Sequence, residues 1–201
     1  MSDGTTCRHG FWQVYCFLGS GREEQSLGEA EGNKRMVIDE QERTAYHEAG
    51  HVVMAIQLGA TIVRASIEPA DDGPHRFGET ITHWPPQSDR QMGSAALCVS
   101  LGGPVAEMIY TGEVSELSEI SEWRVDRGQA MKAASQLARH RDELPQLITG
   151  ATASVREFLE SDNGWAAVAA ISDLLLTHDT VEHVQCLEAV GFWLGGGGEG
   201  G

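Results

Sequence analysis

Apolar residues recur at spacings of three and four through the middle of the chain, which is the pattern of amphipathic helices. The first such helix begins after Asp39, and Glu42 lies three residues on, as in a capping box. It should run to Leu58, where Gly59 supplies the left-handed residue that commonly closes a helix. The pattern therefore predicts one long helix over 39–58.

Two β-branched runs follow this helix, at 61–67 and 77–84. The turn-forming segment Asp71-Asp72-Gly73-Pro74 separates them, and the second run alternates apolar and polar residues. We expect a small sheet of two or three strands.

The remainder of the chain is predicted to be helical. Ser88 and Gln91 form a second capping box, for a helix that reaches toward Tyr110 and is expected to break at Gly102-Gly103-Pro104. Helical periodicity then covers 124–139, 145–159, 165–176 and 180–192. Together these elements predict an α+β fold that is predominantly α-helical, with a C-terminal helical bundle.

The two ends of the chain lack this periodicity. Residues 1–35 mix Gly, Ser and Glu with an apolar patch at 11–18, and we expect a weakly structured extension in which the patch is loosely packed. Residues 195–201 are nearly all glycine and predict a flexible tail. A single domain over 36–194 fits the length of 201 residues.

Net charge, apolar runs and cysteine spacing limit the partners and the cellular compartment that we expect. The formal charge of −16 would repel nucleic acid and anionic membrane surfaces. The longest apolar run, 166–176, is about half the roughly 20 residues of a membrane helix, and no signal segment opens the sequence. The cysteines form no C-x-x-C pair: Cys7, Cys16, Cys98 and Cys186. We therefore expect a cytoplasmic protein without membrane insertion.

The candidate chemistry lies in His47-Glu48-Ala49-Gly50-His51, in the middle of the first helix. Two histidines four residues apart share one helix face, so both rings can bind one ion. Glu48 points beside that ion, where its carboxylate can act as general base for a water. Gly50 costs a helix interior about 1 kcal/mol and indicates close packing or function. The motif predicts a zincin-like active-site helix that binds Zn²⁺.

A catalytic zinc site needs a third protein ligand. The extended motif H-E-x-x-H-x-x-G-x-x-H is excluded, since Met54 and Gln57 stand at the positions it requires. The acidic candidates farther along the chain are Glu79, Glu107 and Asp126. Spacing alone does not choose among them.

Several segments resemble the peptidase domain of the FtsH family, the membrane-anchored AAA+ zinc metalloproteases. The similar stretches are 44–53 around the two histidines, Gly78-Glu79-Thr80, Leu101-Gly102-Gly103-Pro104-Val105-Ala106-Glu107, and 126–134. In the family an Asp at the start of the last stretch is the third zinc ligand, and the resemblance implies that role for Asp126. No G-x-x-x-x-G-K-[ST] phosphate loop occurs in the sequence, so we expect a stand-alone peptidase domain without the ATPase module.

The resemblance implies a zinc metalloendopeptidase acting on unfolded proteins or short peptides, with Glu48 as general base. The 77–84 strand would be an exposed edge on which an extended peptide adds as another strand. A separate ATPase partner and a homo-oligomer are also expected from the family. The alternative is a catalytically silent peptide-binding or regulatory module on the same fold.

Other polar residues near these segments have less specific roles. His75 and His83 are candidate oxyanion donors, although solvated surface positions are the simpler interpretation. Glu107 is equally compatible with orienting a ligand histidine and with an ordinary surface role. Trp123 is predicted to be a core anchor.

Overall fold

The computed structural model describes residues 11–15, 39–69, 77–113 and 123–194. The strands in these ranges are β1 (Phe11–Tyr15), β2 (Thr61–Pro69), β3 (Phe77–His83) and β4 (Thr180–Val181). The helices are α1 (Glu40–Gln57), α2 (Asp89–Thr111), α3 (Arg124–Leu137), α4 (Leu144–Leu159), α5 (Asp162–His178) and α6 (His183–Leu194). The predominantly helical α+β fold is confirmed.

The helix predicted after Asp39 is the central helix of the domain. The Asp39 side chain caps α1 by accepting a hydrogen bond from the Gln41 amide, and Gly59 follows the helix with a φ of 86°. Burial extends around the whole circumference of the helix from Thr44 to Ala55, and Tyr46 alone in that stretch is partly exposed. A helix that is covered on every side must be packed by several neighbours, and α1 contacts α2, α5 and the sheet.

Helix α2 runs unbroken through Gly102-Gly103-Pro104, so the predicted interruption is wrong. The capping box of Ser88 and Gln91 is present at its start. Pro104 removes one backbone donor from the helix, which is the cost that suggested a break. Burial of Gly102, Gly103 and Pro104 against neighbouring elements offsets that cost.

Glycines set the separation of α1 and α2. A Cβ atom built on Gly50 would overlap the Gly102 carbonyl oxygen and lie 2.6 Å from the Ala106 Cβ. A Cβ atom on Gly102 would lie 2.6 Å from the Gly50 carbonyl oxygen. The two helix backbones therefore touch at this point, which explains why the interior of α1 contains a glycine.

The sheet has the strand order β1-β3-β2-β4, with all neighbours antiparallel. It is one strand larger than expected because β4, which has two residues, pairs with β2. Strand β3 lies between β1 and β2, since β1 pairs with it from Phe11↔His83 to Tyr15↔Glu79. The expectation that this strand forms an exposed edge is therefore wrong: its outer side is hydrogen-bonded to the chain's own N-terminal strand.

Strand β1 lies in the apolar patch that interrupts the segment 1–35. Aromatic and β-branched residues predominate in Phe11–Tyr15, and such residues favour strands. The backbone of β3 supplies a partner for them, and β1 also contacts α3. The rest of 1–35, the turn 71–74 and the glycine-rich tail lie outside the described residues.

The C-terminal bundle differs from expectation at its last helix. The helical pattern over 180–192 predicted a helix from Thr180, but α6 begins at His183 because Thr180 and Val181 pair with β2. Asp179 has a φ of 57° and its carbonyl accepts a hydrogen bond from the Ile67 amide. Two residues that have helical periodicity are therefore paired in the sheet.

Helix α2 is, by length and composition, also the one described helix that could cross a membrane. Of its most apolar 18-residue window, 78% is buried inside the domain. In this structure its apolar surface packs against protein, as in a core helix.

We predict that Gly50→Ala destabilises the domain by about 1–3 kcal/mol, because the added methyl group forces α1 and α2 apart. Gly150→Ala in α4 is the matched control, since its Cβ would meet nothing within 4 Å. That variant should be neutral or stabilising by up to about 1 kcal/mol. Urea denaturation measures both free energies of unfolding, and equal values would contradict the helix contact.

Candidate metal centre

The two histidines of α1 face the same point inside the domain. His47 and His51 are 3% and 0% exposed, and their ring centroids are 4.9 Å apart. Their spacing of four residues places both rings on the side of the helix that faces α2. The pair lies in the interior, where imidazole groups require polar partners.

Asp126, in the first turn of α3, is the carboxylate that reaches both histidines. Its Oδ2 lies 3.2 Å from His47 Nε2, and its Oδ1 lies 3.4 Å from His51 Nε2. One ligand atom from each of the three residues falls within 4.8 Å of the others. This is the only such cluster of metal-binding side chains found in the described ranges.

The other two acidic candidates lie elsewhere. Glu79 forms an ion pair with Arg64 on the neighbouring strand. Glu107 contacts the opposite side of the His47 ring, where its Oε2 lies 2.7 Å from Nδ1. The geometry therefore places Asp126, and neither glutamate, at the point where the two Nε2 atoms converge.

Each histidine has a fixed ring orientation because its Nδ1 is hydrogen-bonded. His47 Nδ1 donates to Glu107 Oε2, and His51 Nδ1 donates to the Val99 carbonyl oxygen, both at 2.7 Å. With hydrogen on Nδ1, the neutral ring presents the Nε2 lone pair to an ion. Glu107 thus has the orienting position that the sequence left open.

Glu107 is itself held by two further side chains. The Trp123 indole donates to Glu107 Oε2 at 2.7 Å, and Arg43 Nε lies 3.3 Å from Oε1. Trp123 is 1% exposed, so the predicted core anchor is also a polar partner. Sequence reasoning missed Arg43, which lies four residues before His47 on the same helix face.

These groups shift one another's pKa values. Burial alone lowers the pKa of His47, but hydrogen bonds to the Asp126 and Glu107 carboxylates outweigh it and raise the pKa to about 10. Burial raises the pKa of Asp126, yet the adjacent histidines lower it overall. The two carboxylates therefore favour the protonated form of His47, and metal binding, which requires the neutral ring, would release a proton.

Gly103 leaves open the space next to the two rings. A Cβ atom at this position would overlap Nε2 of both His47 and His51 and lie 2.5 Å from the His47 Cδ2. Any residue other than glycine at position 103 would therefore block the Nε2 lone pairs that face Asp126. The Gly102-Gly103 pair is visible in the sequence. Only the packing of α2 on α1 shows that Gly103 leaves room for the two histidine rings.

Glu48 directly follows His47 in α1, and its side chain contacts the sheet. Its side chain is fully buried, and its Oε2 accepts a 2.7 Å hydrogen bond from the Thr80 hydroxyl on β3. Gly78, with a φ of 85°, passes so closely that a Cβ there would overlap Oε1 and lie 2.9 Å from Cδ. Thr80 and Gly78 were recognised as part of a similar segment, whereas their contacts with Glu48 were not predicted.

The other histidines of the described ranges do not belong to the His47, His51 and Asp126 cluster. His83 and His178 have exposed side chains, and His75 lies outside the described residues. His183 Nδ1 accepts a hydrogen bond from the Ile62 amide at 3.2 Å, which connects the start of α6 to β2. The role of oxyanion donor for His75 or His83 stays a prediction.

The donor set fits a zinc ion. Two imidazole nitrogens and one carboxylate are typical of catalytic zinc sites, and two neutral rings with one carboxylate would leave a net charge of about +1. A zinc site also needs ligand atoms that are held in place and space for the ion. The buried histidine rings and the space left by Gly103 provide both. His47, His51 and Asp126 can therefore hold the metal.

Comparison with known proteins gives one informative match. The ATP-dependent zinc metalloprotease FtsH 2 of Methylacidiphilum infernorum (isolate V4) is 36% identical to this chain over 102 residues. The match covers 47% of this chain and 14% of that protein, so the chain corresponds to a small part of it. No family model matches the chain. The similarity supports a distant relation to FtsH-type metalloproteases and agrees with the His-His-Asp cluster.

We predict that Asp126→Asn weakens zinc binding by more than the roughly 10–100-fold typical of outer-shell mutations. The amide keeps the shape of the side chain but removes the negative charge that faces both Nε2 atoms. Glu79→Gln is the control and should retain zinc, since Glu79 pairs with Arg64. Competition with a chromophoric chelator measures both affinities, and zinc loss only in Glu79→Gln would contradict the assignment.

Gly103→Ala should abolish zinc binding, because the new methyl group overlaps both ligand nitrogens. Gly128→Ala in α3 places its methyl group in open space and should bind zinc normally. Metal analysis after gel filtration compares the two variants, with circular dichroism to check their folding. Full zinc retention by folded Gly103→Ala would show that the metal does not bind between these rings.

Proposed function

We propose that the chain is a zinc-dependent metallopeptidase that hydrolyses peptide bonds in unfolded proteins or short peptides. The observation that carries this proposal is the fully buried Glu48 carboxylate, which is held by the Thr80 hydroxyl and belongs to the helix that also supplies His47 and His51 to the cluster with Asp126. The distant similarity to an FtsH-type protease supports the same reaction class.

The residues have complementary roles in the proposed reaction. A zinc ion held by His47, His51 and Asp126 would acidify a water molecule and polarise the substrate carbonyl. Glu48 accepts a proton from the attacking water and later delivers it to the leaving nitrogen. The carbon–nitrogen bond then breaks, and a carboxylate and an amine are formed. Thr80 orients Glu48 through its hydroxyl.

The position of Glu48 argues against the silent binding module. Burying a carboxylate costs free energy unless it has polar partners, and a metal-binding or peptide-binding module has no use for one at this point. The fold nevertheless gives Glu48 a hydroxyl donor and a glycine that makes room for its carboxylate. Such an arrangement is expected where a carboxylate transfers protons.

The wider setting of the activity is also part of the proposal. Hydrolysis by these residues needs no nucleotide, so a separate ATPase would supply unfolded substrate where unfolding is required. A homo-oligomer is proposed by analogy with FtsH-type proteases. Cys98 and Cys186 are free thiols, which supports a reducing compartment such as the cytoplasm.

The decisive test is digestion of fluorescein-labelled casein, an unstructured protein, by zinc-loaded wild-type chain and by Glu48→Gln. Loss of the general base should lower the rate by roughly 10²–10⁴-fold while the zinc content stays at one equivalent. Glu157→Gln, which changes an exposed glutamate of α4, should cleave at the wild-type rate.

The same assay can contradict the proposal. Stoichiometric zinc with no cleavage above Glu48→Gln would favour the silent peptide-binding module. That conclusion requires the same result from a variant in which β1 is released from β3, because β1 pairs with β3 at Thr80, the residue that contacts Glu48.

A further inference from the structure

Strand β1 pairs with the strand that contacts Glu48. Val14 is paired with Thr80, the residue whose hydroxyl contacts Glu48, and Tyr15 is paired with Glu79. Adjacent strands lie about 4.8 Å apart, so the β1 backbone runs one strand spacing from the residue that orients Glu48. β1 also contacts α3, the helix that carries Asp126.

This position is the one that an extended substrate needs. A peptide that adds to β3 as a new strand would use the backbone hydrogen-bonding groups on the outer side of β3. In the structure those groups pair with residues 11–15. Strand β1 is the outermost strand on this side of the sheet, so a competing peptide can replace it without disturbing β2 or β4.

We propose that the outer edge of β3 is the peptide-binding strand and that β1 is its intramolecular, autoinhibitory occupant. The inference rests on the proposed peptidase function for its catalytic consequence, but the competition for β3 is independent of catalysis. A substrate must displace β1 before its backbone can reach Glu48. An occupant on the same chain competes at an effective concentration that reaches the order of mM for short linkers.

The chemistry of pairing explains why the chain would carry such a strand. An unpaired edge next to an open site is a template for aggregation and for indiscriminate peptide binding. Residues 11–15 satisfy that edge by main-chain hydrogen bonds, which require no particular substrate sequence. Activation then amounts to release of one five-residue strand.

The test locks β1 onto β3 and, separately, releases it. Gln13 and Ile81 are Cα partners across the two strands, and a disulfide between cysteines at these positions would hold β1 in place. The native cysteines are first changed to alanine: Cys7, Cys16, Cys98 and Cys186. The release variant carries Gln13→Pro and Val14→Pro. The amides of adjacent strand residues point to opposite sides, and proline has no amide hydrogen, so one of the two prolines must remove a hydrogen bond to β3.

Binding is measured in zinc-loaded chains that also carry Glu48→Gln, so no probe is cleaved. The probe is a fluorescein-labelled peptide that copies residues 8–18, with Cys16 replaced by serine, and fluorescence anisotropy reports its binding. We expect no saturable binding to the disulfide-locked chain and measurable binding after reduction with dithiothreitol. The double-proline variant should bind at least about tenfold more tightly than the reduced chain.

Cleavage of labelled casein by the same variants with Glu48 restored should follow the same order. Equal peptide binding by locked, reduced and double-proline chains would overturn the proposal. A disulfide between two chains, seen as a dimer on a non-reducing gel, would also overturn it. If the double-proline variant binds peptide and zinc but cleaves nothing, the result supports β1 as the occupant of the peptide-binding edge of β3 and contradicts the proposed peptidase function.

Discussion

The close contact between α1 and α2 is the constraint on which the site depends. The two backbones touch where Gly50 and Gly102 face each other, and Gly103 lies against the histidine rings one position farther on. This contact closes the interior around His47 and His51 and leaves just enough room for their Nε2 atoms. Helix α3 packs on α2, which brings Asp126 to the same point.

The interior built in this way is unusually polar for the centre of a domain. His47, Glu107 and Asp126 are all buried, and each has at least one charged or hydrogen-bonding partner among the others. Carboxylates and imidazoles in a low-dielectric interior stabilise one another only when their geometry is good. Arg43 and Trp123 contact the Glu107 carboxylate, and Glu107 in turn orients the ring of His47.

The sheet contributes to the site through one strand. Thr80 and Gly78 of β3 contact the side chain of Glu48, so this carboxylate of α1 is held against the strand. The outer side of the same strand carries the hydrogen-bonding groups that pair with β1. The orientation of the Glu48 carboxylate and the proposed peptide-binding edge thus depend on a single strand.

Much of this protein follows from local sequence. Helix α1 and its cap depend on residues within a few positions of one another, and so does the spacing that puts His47 and His51 on one face. The start of α2 at Ser88 is local for the same reason. Resemblance to a known family was needed to select Asp126, because it lies 75 residues beyond His51 and no periodicity relates the two.

Other features were decided by tertiary packing. Helix α2 continues through Pro104 because α1 covers its glycines, although the local preference there favours a break. Thr180 and Val181 leave a helical pattern because β2 offers them hydrogen bonds. β1 covers the edge of β3, which the sequence left open, because pairing joins strands far apart in the chain. The sequence by itself determined the helix that carries His47, Glu48 and His51, whereas contacts between distant segments decided the position of Asp126, the orientation of Glu48 and the pairing of β3 with β1.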